Sequence, residues 1–350
     1  MLSLHALARF FQRSPPLLVK LDFVCTRFLE CREMGETTLA STTSRSAVST
    51  HAVLGAIDIG SNAIRLVIGE RDSHGDIKVI KKSREPVRLG KDVFSTGTIS
   101  VETRTKAIEA FLRFREALKA HGVSNARAIA TSALREAKDR DTFIQDIKKA
   151  SGIKIEVIDG MEEGRLIFSA VSHRIDLRDK VSLLIDIGGG SVELTVADHG
   201  DPLGCETFKL GTVRLLQMLE EKGLKEKHLR EVLAEQLGPV KAFLSRYKKN
   251  LHIDQAIGTG GNFECLGKLR VALLQKSSIF SMSRQDLADL EAHLESMTVK
   301  ERIQFLRLRP DRADVVVPAA IVTLAVMELA DVDVLMIPYV GLRDGILAAM

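Results

Sequence analysis

The 350-residue chain lacks the features that define several common classes. Its four cysteines, Cys25, Cys31, Cys205 and Cys265, form no C-x-x-C pair and no metal-ligand spacing. They read as buried or incidental thiols of a reducing compartment, which points to a cytoplasmic location. Nine histidines are scattered singly, with no zinc-like spacing. No apolar run reaches the length of a membrane span. The longest, Val315 to Met327, holds Pro318 and Thr323 and reads as a core helix starting near Pro318. An excess of one charge is also missing: 50 Lys and Arg stand against 46 Asp and Glu. Neither a membrane nor a nucleic-acid partner is expected, although a balanced total still permits a local basic channel.

Residues 1–51 differ from the rest. They contain Pro15-Pro16 and a Ser/Thr cluster from Thr37 to Thr50 with little periodicity. Lys20 and Asp22 interrupt the only candidate apolar core of a signal peptide, which argues against secretion. The segment reads as a poorly ordered extension, with Met34 as an alternative start.

What the chain does have is one motif twice. Residues 56–62 read Ala-Ile-Asp-Ile-Gly-Ser-Asn, and residues 184–191 read Leu-Ile-Asp-Ile-Gly-Gly-Gly-Ser. Each is an apolar run, an Asp, a Gly turn and a second apolar segment. Two such units imply a duplicated domain. Successive backbone N–H groups at a glycine turn can point at one anion. A carboxylate beside that anion makes sense only with a bridging cation or water. The competing reading is two ordinary β-hairpins with Asp-x-Gly turns.

Strand and helix patterns alternate in both halves, which predicts two α/β domains with a cleft between them. Strands are expected at 53–59, 64–70, 76–84, 126–130 and 153–158, then at 181–187, 192–197, 203–208, 255–257 and 334–337. Ser100 to Ala120 predicts a capped helix stopped by Gly122, and Arg140 to Ser151 a helix ending at Gly152. Gly160 opens a helix with Glu162, Glu163 and Arg165. Residues 212–247 and 283–306 read as helical, and 341–349 as a terminal helix. Three Gly-rich turns follow strands: Gly60-Ser61-Asn62, Gly188-Gly189-Gly190-Ser191, and Gly258 to Gly261. The third precedes a helix whose N-terminus favours an anion.

Seven ordered blocks carry a family resemblance: Ala56–Asn62, Arg88–Gly90, Ala130–Ala137, Gly160–Phe168, Ile185–Glu193, Gly258–Asn262 and Gly341–Leu347. The chain resembles the exopolyphosphatase / guanosine pentaphosphate phosphatase (Ppx/GppA) family over residues 53–349, in the short form without a C-terminal helical domain. The resemblance implies an α/β fold of two duplicated ribonuclease-H-like domains, of the actin, Hsp70 and sugar-kinase superfamily. It assigns residues 52–167 to the first domain, 168–338 to the second, and 339–350 to a terminal helix packing back on the first.

The resemblance also implies roles. Glu163 matches the glutamate that activates the attacking water, its pKa raised by burial or by Glu162 beside it. Without the resemblance, Glu162 and Glu163 read as helix-surface charges. Asp186 and Glu193 match ligands of Mg²⁺ or a similar divalent cation. Asp58, Gly60, Ser61, Asn62, Arg135, Gly188, Gly189, Gly190, Ser191, Gly258, Gly260 and Gly261 match phosphate-binding positions. Arg88 is a weaker phosphate candidate, and Arg165 is expected to orient Glu163 or close the domain interface. Asn262 stands where many relatives have Thr, and Gly164 where many have Ala.

The implied reaction is attack of water on the terminal phosphorus of inorganic polyphosphate, releasing orthophosphate. The family's other substrate, guanosine pentaphosphate, ends in the same bond and is the alternative. An ATP-dependent kinase of the superfamily and a non-catalytic alarmone sensor are further readings. A homodimer is implied by analogy alone.

Overall fold

In the computed structural model, which describes residues 52–350, two sheets repeat one topology. The expectations for residues 1–51, with Cys25, Cys31 and Met34, lie outside the described residues. The first lobe is built on β1 (Ala52–Ile59), β2 (Ile64–Arg71), β3 (Ile77–Glu85), β4 (Asn125–Ala130) and β5 (Ile155–Val157), in the order β3-β2-β1-β4-β5. The second is built on β6 (Val181–Ile187), β7 (Val192–Asp198), β8 (Asp201–Phe208), β9 (Gln255–Thr259), β10 (Ser281–Ser283) and β11 (Val334–Met336). Its order is β10-β11-β9-β6-β7-β8. Without the edge strand β10, both sheets have the same order and the same strand directions. The first two strand pairs are antiparallel, and the next two are parallel. This is the duplicated ribonuclease-H-like arrangement. β1 and β6 are central and buried on both faces, which is why each is nearly continuously apolar up to its Asp.

Local chemistry sets the element ends. The Ser100 hydroxyl accepts from the Thr103 amide and starts the helix Val101–Ala120, which ends before a left-handed Gly122. Helix Arg140–Ser151 stops at left-handed Gly152. Four regions depart from the expected pattern. Residues 212–247 are interrupted rather than continuous, forming helices Thr212–Glu221, Leu229–Ala234 and Gly238–Lys248. Left-handed Gly223 ends the first, and a proline in the first turn starts the last. Residues 283–306 split at Thr298, whose capping box with Glu301 starts a new helix, Val299–Leu306. The helix Leu89–Thr96 and strand β10 are too short to show a period.

Each lobe has its own apolar core. The helical segment Pro310–Ala330 is long and apolar enough to cross a membrane, but 78% of its most apolar window is buried inside the fold. Its main helix, Val316–Ala330, is a core helix with Pro318 in the first turn. A third cluster lies between the sheets, uniting Ala56, Val67 and Ile129 of the first lobe with Leu184 and Ile257 of the second. Helix Gly160–Ser172, which spans the expected 167/168 boundary, and the terminal helix Leu342–Ala348 complete it. The terminal helix packs on β1, β2 and the 160–172 helix.

Candidate active site

The two hairpins bring the repeated motifs to facing edges of one cleft. In the first, Asp58 lies opposite Arg65, and in the second Asp186 lies opposite Glu193 at the matching register position. Both loops close with the same bond, Gly60 N–H to the Ala63 carbonyl (3.2 Å) and Gly188 N–H to the Ser191 carbonyl (3.0 Å). The side-chain pairs then diverge. Arg65 Nη1 donates to Asp58 Oδ2 at 2.9 Å, so the first pair neutralises itself. The second pair is two carboxylates.

A third carboxylate joins them from the 160–172 helix. Asp159 caps that helix by accepting from the Glu162 amide at 2.8 Å. Its first turn packs against β8 at very short range: a Cβ on Gly164 would lie 2.3 Å from Cys205 Sγ. The glycine at 164 is therefore the counterpart of the Cys205 side chain. This approach buries Glu163 to 6% exposure, and Glu193 to 2%. One oxygen each from Glu163, Asp186 and Glu193 converges within 4.8 Å. Glu163 Oε2 and both Glu193 oxygens have no hydrogen-bond partner.

Burial dominates their titration. It raises Glu163 well above the ordinary carboxylate value, with Glu193 and Asp186 adding repulsion and Arg135 opposing it. Burial, with the Asp186 charge behind it, pushes Glu193 up to about 8, and burial takes Asp186 to about 6 although the Thr259 hydroxyl donates to it. Glu162 plays no part in this. It points outward to Arg165, at 2.6 Å, and is held below the usual range by that bond. Arg165 is 61% exposed in its side chain and neither orients Glu163 nor closes the interface, contrary to the sequence expectation. Converging hard oxygens with unsatisfied lone pairs fit a hard divalent cation.

The glycine turn at 188–191 faces the carboxylates with its amides. Thr212 N–H donates to the Gly188 carbonyl (3.1 Å), Val213 N–H to the Gly189 carbonyl (2.8 Å), and Arg214 Nε to the Gly190 carbonyl (2.8 Å). In a trans peptide the N–H points opposite to the C=O. Three carbonyls turned toward helix Thr212–Glu221 therefore turn the Gly189, Gly190 and Ser191 N–H groups the other way, into the cleft. These three donate to nothing among the described residues. They form an anion nest.

The cleft is lined by Asp58, Gly60, Ser61, Asn62, Glu163, Asp186, Gly188 to Ser191, Gly260 and Gly261, with Glu193 behind Asp186 and Glu163. Three expected residues fall elsewhere. Gly258 lies inside strand β9, where a Cβ would meet the Phe263 ring at 2.1 Å, so it is a packing glycine. Its place in a Gly-rich run disguised its place in the strand. Arg135 lies outside the lining, donating to the Ile158 carbonyl (2.8 Å) with Nη1 3.5 Å from Glu163 Oε2. It is placed to act on Glu163. Arg88 pairs with Asp314 across the lobes at 2.6 Å, also outside the lining.

Sequence reasoning missed the cleft's cations, Arg65, Arg312 and Arg343, and its hydroxyls Thr131, Ser132 and Thr212. Arg65 was detectable: it stands at the position in the first copy that Glu193 holds in the second. Arg312 carries no such signal. It is buried, held down to about 10 by desolvation, and bonded to the Asn262 side-chain oxygen, while Asn262 Nδ2 donates to the Ile187 carbonyl at 2.7 Å. Asn262 thus ties Arg312 to the end of β6.

Comparison with known proteins agrees with this architecture. The model of the Ppx/GppA phosphatase family matches residues 66–350. Exopolyphosphatase 2 of Mycobacterium tuberculosis is 30% identical over 315 residues, 83% of this chain and 96% of that protein. A guanosine-5'-triphosphate,3'-diphosphate pyrophosphatase of Vibrio parahaemolyticus is 26% identical over 84% of this chain, which spans 58% of the relative's length. The crystal structure of an exopolyphosphatase from Cytophaga hutchinsonii is similar with a TM-score of 0.77 at 28% identity, covering 85% of this chain and 97% of the other. With its duplicated lobes and acidic cleft, the chain belongs to the Ppx/GppA phosphatase family.

Proposed function

We propose that the protein is an exopolyphosphatase of the reducing cytoplasm, hydrolysing the terminal phosphoanhydride of inorganic polyphosphate to release orthophosphate. The observation that carries this reading is the opposition, across one cleft, of three buried carboxylates and three free backbone amides. The terminal phosphoryl group docks on the Gly189, Gly190 and Ser191 N–H groups, with Ser61, Asn62, Gly260 and Gly261 around it and Arg65 and Arg312 balancing its charge. Asp186 and Glu193 would hold Mg²⁺ or a similar divalent cation, which supplies charge stabilisation to the phosphoryl oxygens.

Glu163 accepts the proton of the attacking water. Its raised pKa suits a base in a site where it must bind and release a proton. Arg135, 3.5 Å away, favours its ionised form before attack. The glycine amides need no reorganisation as charge builds on the equatorial oxygens, so positioning and electrostatics supply most of the acceleration.

Guanosine pentaphosphate is the second reading, supported by relatives that are guanosine-5'-triphosphate,3'-diphosphate pyrophosphatases. Inorganic polyphosphate is favoured because no aromatic side chain among the described residues lines the cleft to stack on guanine. The test is phosphate release from long polyphosphate, short polyphosphate, guanosine pentaphosphate and ATP with Mg²⁺, for wild type and Glu163→Gln. Long or short polyphosphate should be the best substrate, and the variant should lose about 10²- to 10⁴-fold. Preference for guanosine pentaphosphate would select the second reading. Phosphate moving from ATP to a hydroxyl acceptor would select a kinase, and an unimpaired variant would remove Glu163 from its role.

A further inference from the structure

Arg214, whose bond to the Gly190 carbonyl helps to shape the nest, also sits at the junction of both lobes. It belongs to the second lobe, on helix Thr212–Glu221, and its side chain is only 12% exposed. Three contacts hold the guanidinium. Nε donates to the Gly190 carbonyl at 2.8 Å, Nη2 donates to Glu136 Oε1 at 2.6 Å, and the group lies 4.0 Å over the Phe94 ring. Glu136 and Phe94 both belong to the first lobe.

The first two of these bonds have separate consequences. The Gly190 carbonyl shares a peptide with the Ser191 N–H, so the bond from Arg214 aims that N–H into the cleft. The carbonyls of Gly188 and Gly189 are held by backbone amides, which no substitution of a side chain removes. The Thr212 hydroxyl adds a longer bond to the first, at 3.4 Å, but the third peptide is held by a side chain with no backbone donor beside it. Glu136, in turn, is the neighbour of Arg135 on the short helix Ser132–Glu136, and Arg135 stands beside Glu163. One short helix of the first lobe therefore holds the partner of the base and, in the next residue, the partner of Arg214.

We propose that Arg214 is a positioning residue that aims the third amide of the anion nest and ties it, through Glu136, to the helix that carries Arg135 beside Glu163. Gly190 must stay bare to sit here, because a Cβ there would lie 2.3 Å from both the Phe94 ring and Ser132 Oγ. Planarity suits arginine to this place. A guanidinium can stack on Phe94 while donating in its plane to a carbonyl and a carboxylate, and an ammonium cannot do all three.

This inference rests on the proposed phosphatase reading, and the test separates the two. Arg214→Ala, Arg214→Lys, Glu136→Gln and, as a control, Lys209→Met are compared with wild type at matched foldedness by circular dichroism. Lys209 is an exposed ion-pair partner of Glu136 at 3.8 Å, beside the Ser132 hydroxyl that also donates to Glu136. Arg214→Ala should lower kcat by about 10- to 100-fold with KM changed less than about threefold, somewhat below the loss of a whole oxyanion donor. Arg214→Lys and added guanidinium should each restore part of the rate, Glu136→Gln should lose less than Arg214→Ala, and Lys209→Met should match wild type. Binding of inorganic phosphate with Mg²⁺, read by calorimetry, should weaken at least about fivefold in Arg214→Ala, whatever the substrate proves to be. If wild type hydrolyses none of the substrates, the functional reading fails while phosphate binding still reports on Arg214. A folded Arg214→Ala protein with wild-type kcat and wild-type phosphate affinity overturns the proposal, as does a loss that guanidinium and lysine both fail to recover.

Discussion

The β1–β2 and β6–β7 hairpins share a register, a loop-closing hydrogen bond and an Asp two residues before the turn glycine, yet their electrostatics are opposite. Arg65 answers Asp58 with a 2.9 Å ion pair, while Glu193 answers Asp186 with a second carboxyl group and two unsatisfied oxygens. Duplication supplied the backbone twice. A single cross-strand position then made one copy a self-neutral support and the other a site that demands a cation or protons. A second matched position diverges the same way. Asn62 in the first loop has a side chain that donates to the Asp311 carbonyl at 2.7 Å, whereas its counterpart Gly190 must be bare to fit beside Phe94.

The largest test converts the second copy into the first. Glu193→Arg places a guanidinium opposite Asp186 and should lower phosphate release by roughly 10²- to 10³-fold, the scale of removing one electrostatic element from such a site. Wild-type turnover in that variant would mean that the acidic pair is not used.

Next comes the dependence of stability on pH without metal. Glu193 is raised from 4.5 to about 8 and Asp186 from 3.8 to about 6 in the folded protein. The folded state thus binds protons more tightly than the unfolded one. Stability is fully present below the unfolded values and falls as pH rises through the folded ones. In chelator, Tm should drop on the order of 5 °C between pH 5 and 8 beyond any drop in Glu193→Gln, and Mg²⁺ should recover most at pH 8. Parallel profiles for the two proteins would show that Glu193 does not titrate in this window.

Smaller effects separate the matched loop positions. Gly190→Ala forces a Cβ against Phe94 and Ser132 and should cost about 1–3 kcal/mol in urea denaturation, with loss of phosphate binding. Asn62→Ala removes one side-chain hydrogen bond and should cost about 1 kcal/mol. Equal costs would mean that the two loops are under the same packing constraint.

The features that follow from local chemistry were legible in the sequence. The Ser100 cap, the Gly152 stop and both hairpins can be read from residue types at fixed spacings. Glu163 could not be read from chemistry alone, because an Glu-Glu pair in a first helical turn looks solvated. Its burial comes from Gly164 admitting Cys205 across the helix surface, a contact between residues 41 positions apart. The cations were harder still. Arg312 looks like an exposed helix residue until Asn262 of its own lobe holds it, Arg214 until Phe94 of the other lobe covers it, and Gly258 looks like a turn until β6 pairs with it.

The third apolar cluster also has a mechanical meaning. The chain passes between the lobes twice, once through the 160–172 helix and again when helix Leu342–Ala348 returns to β1 and β2. Two covalent crossings run through one shared oily seam, so the lobes are held as a rivet holds two plates. Neither lobe can be cut away without exposing Ile346, Leu347 and Val67 to water. Two ion pairs outside the seam, Arg88–Asp314 and Arg214–Glu136, bridge the same two lobes.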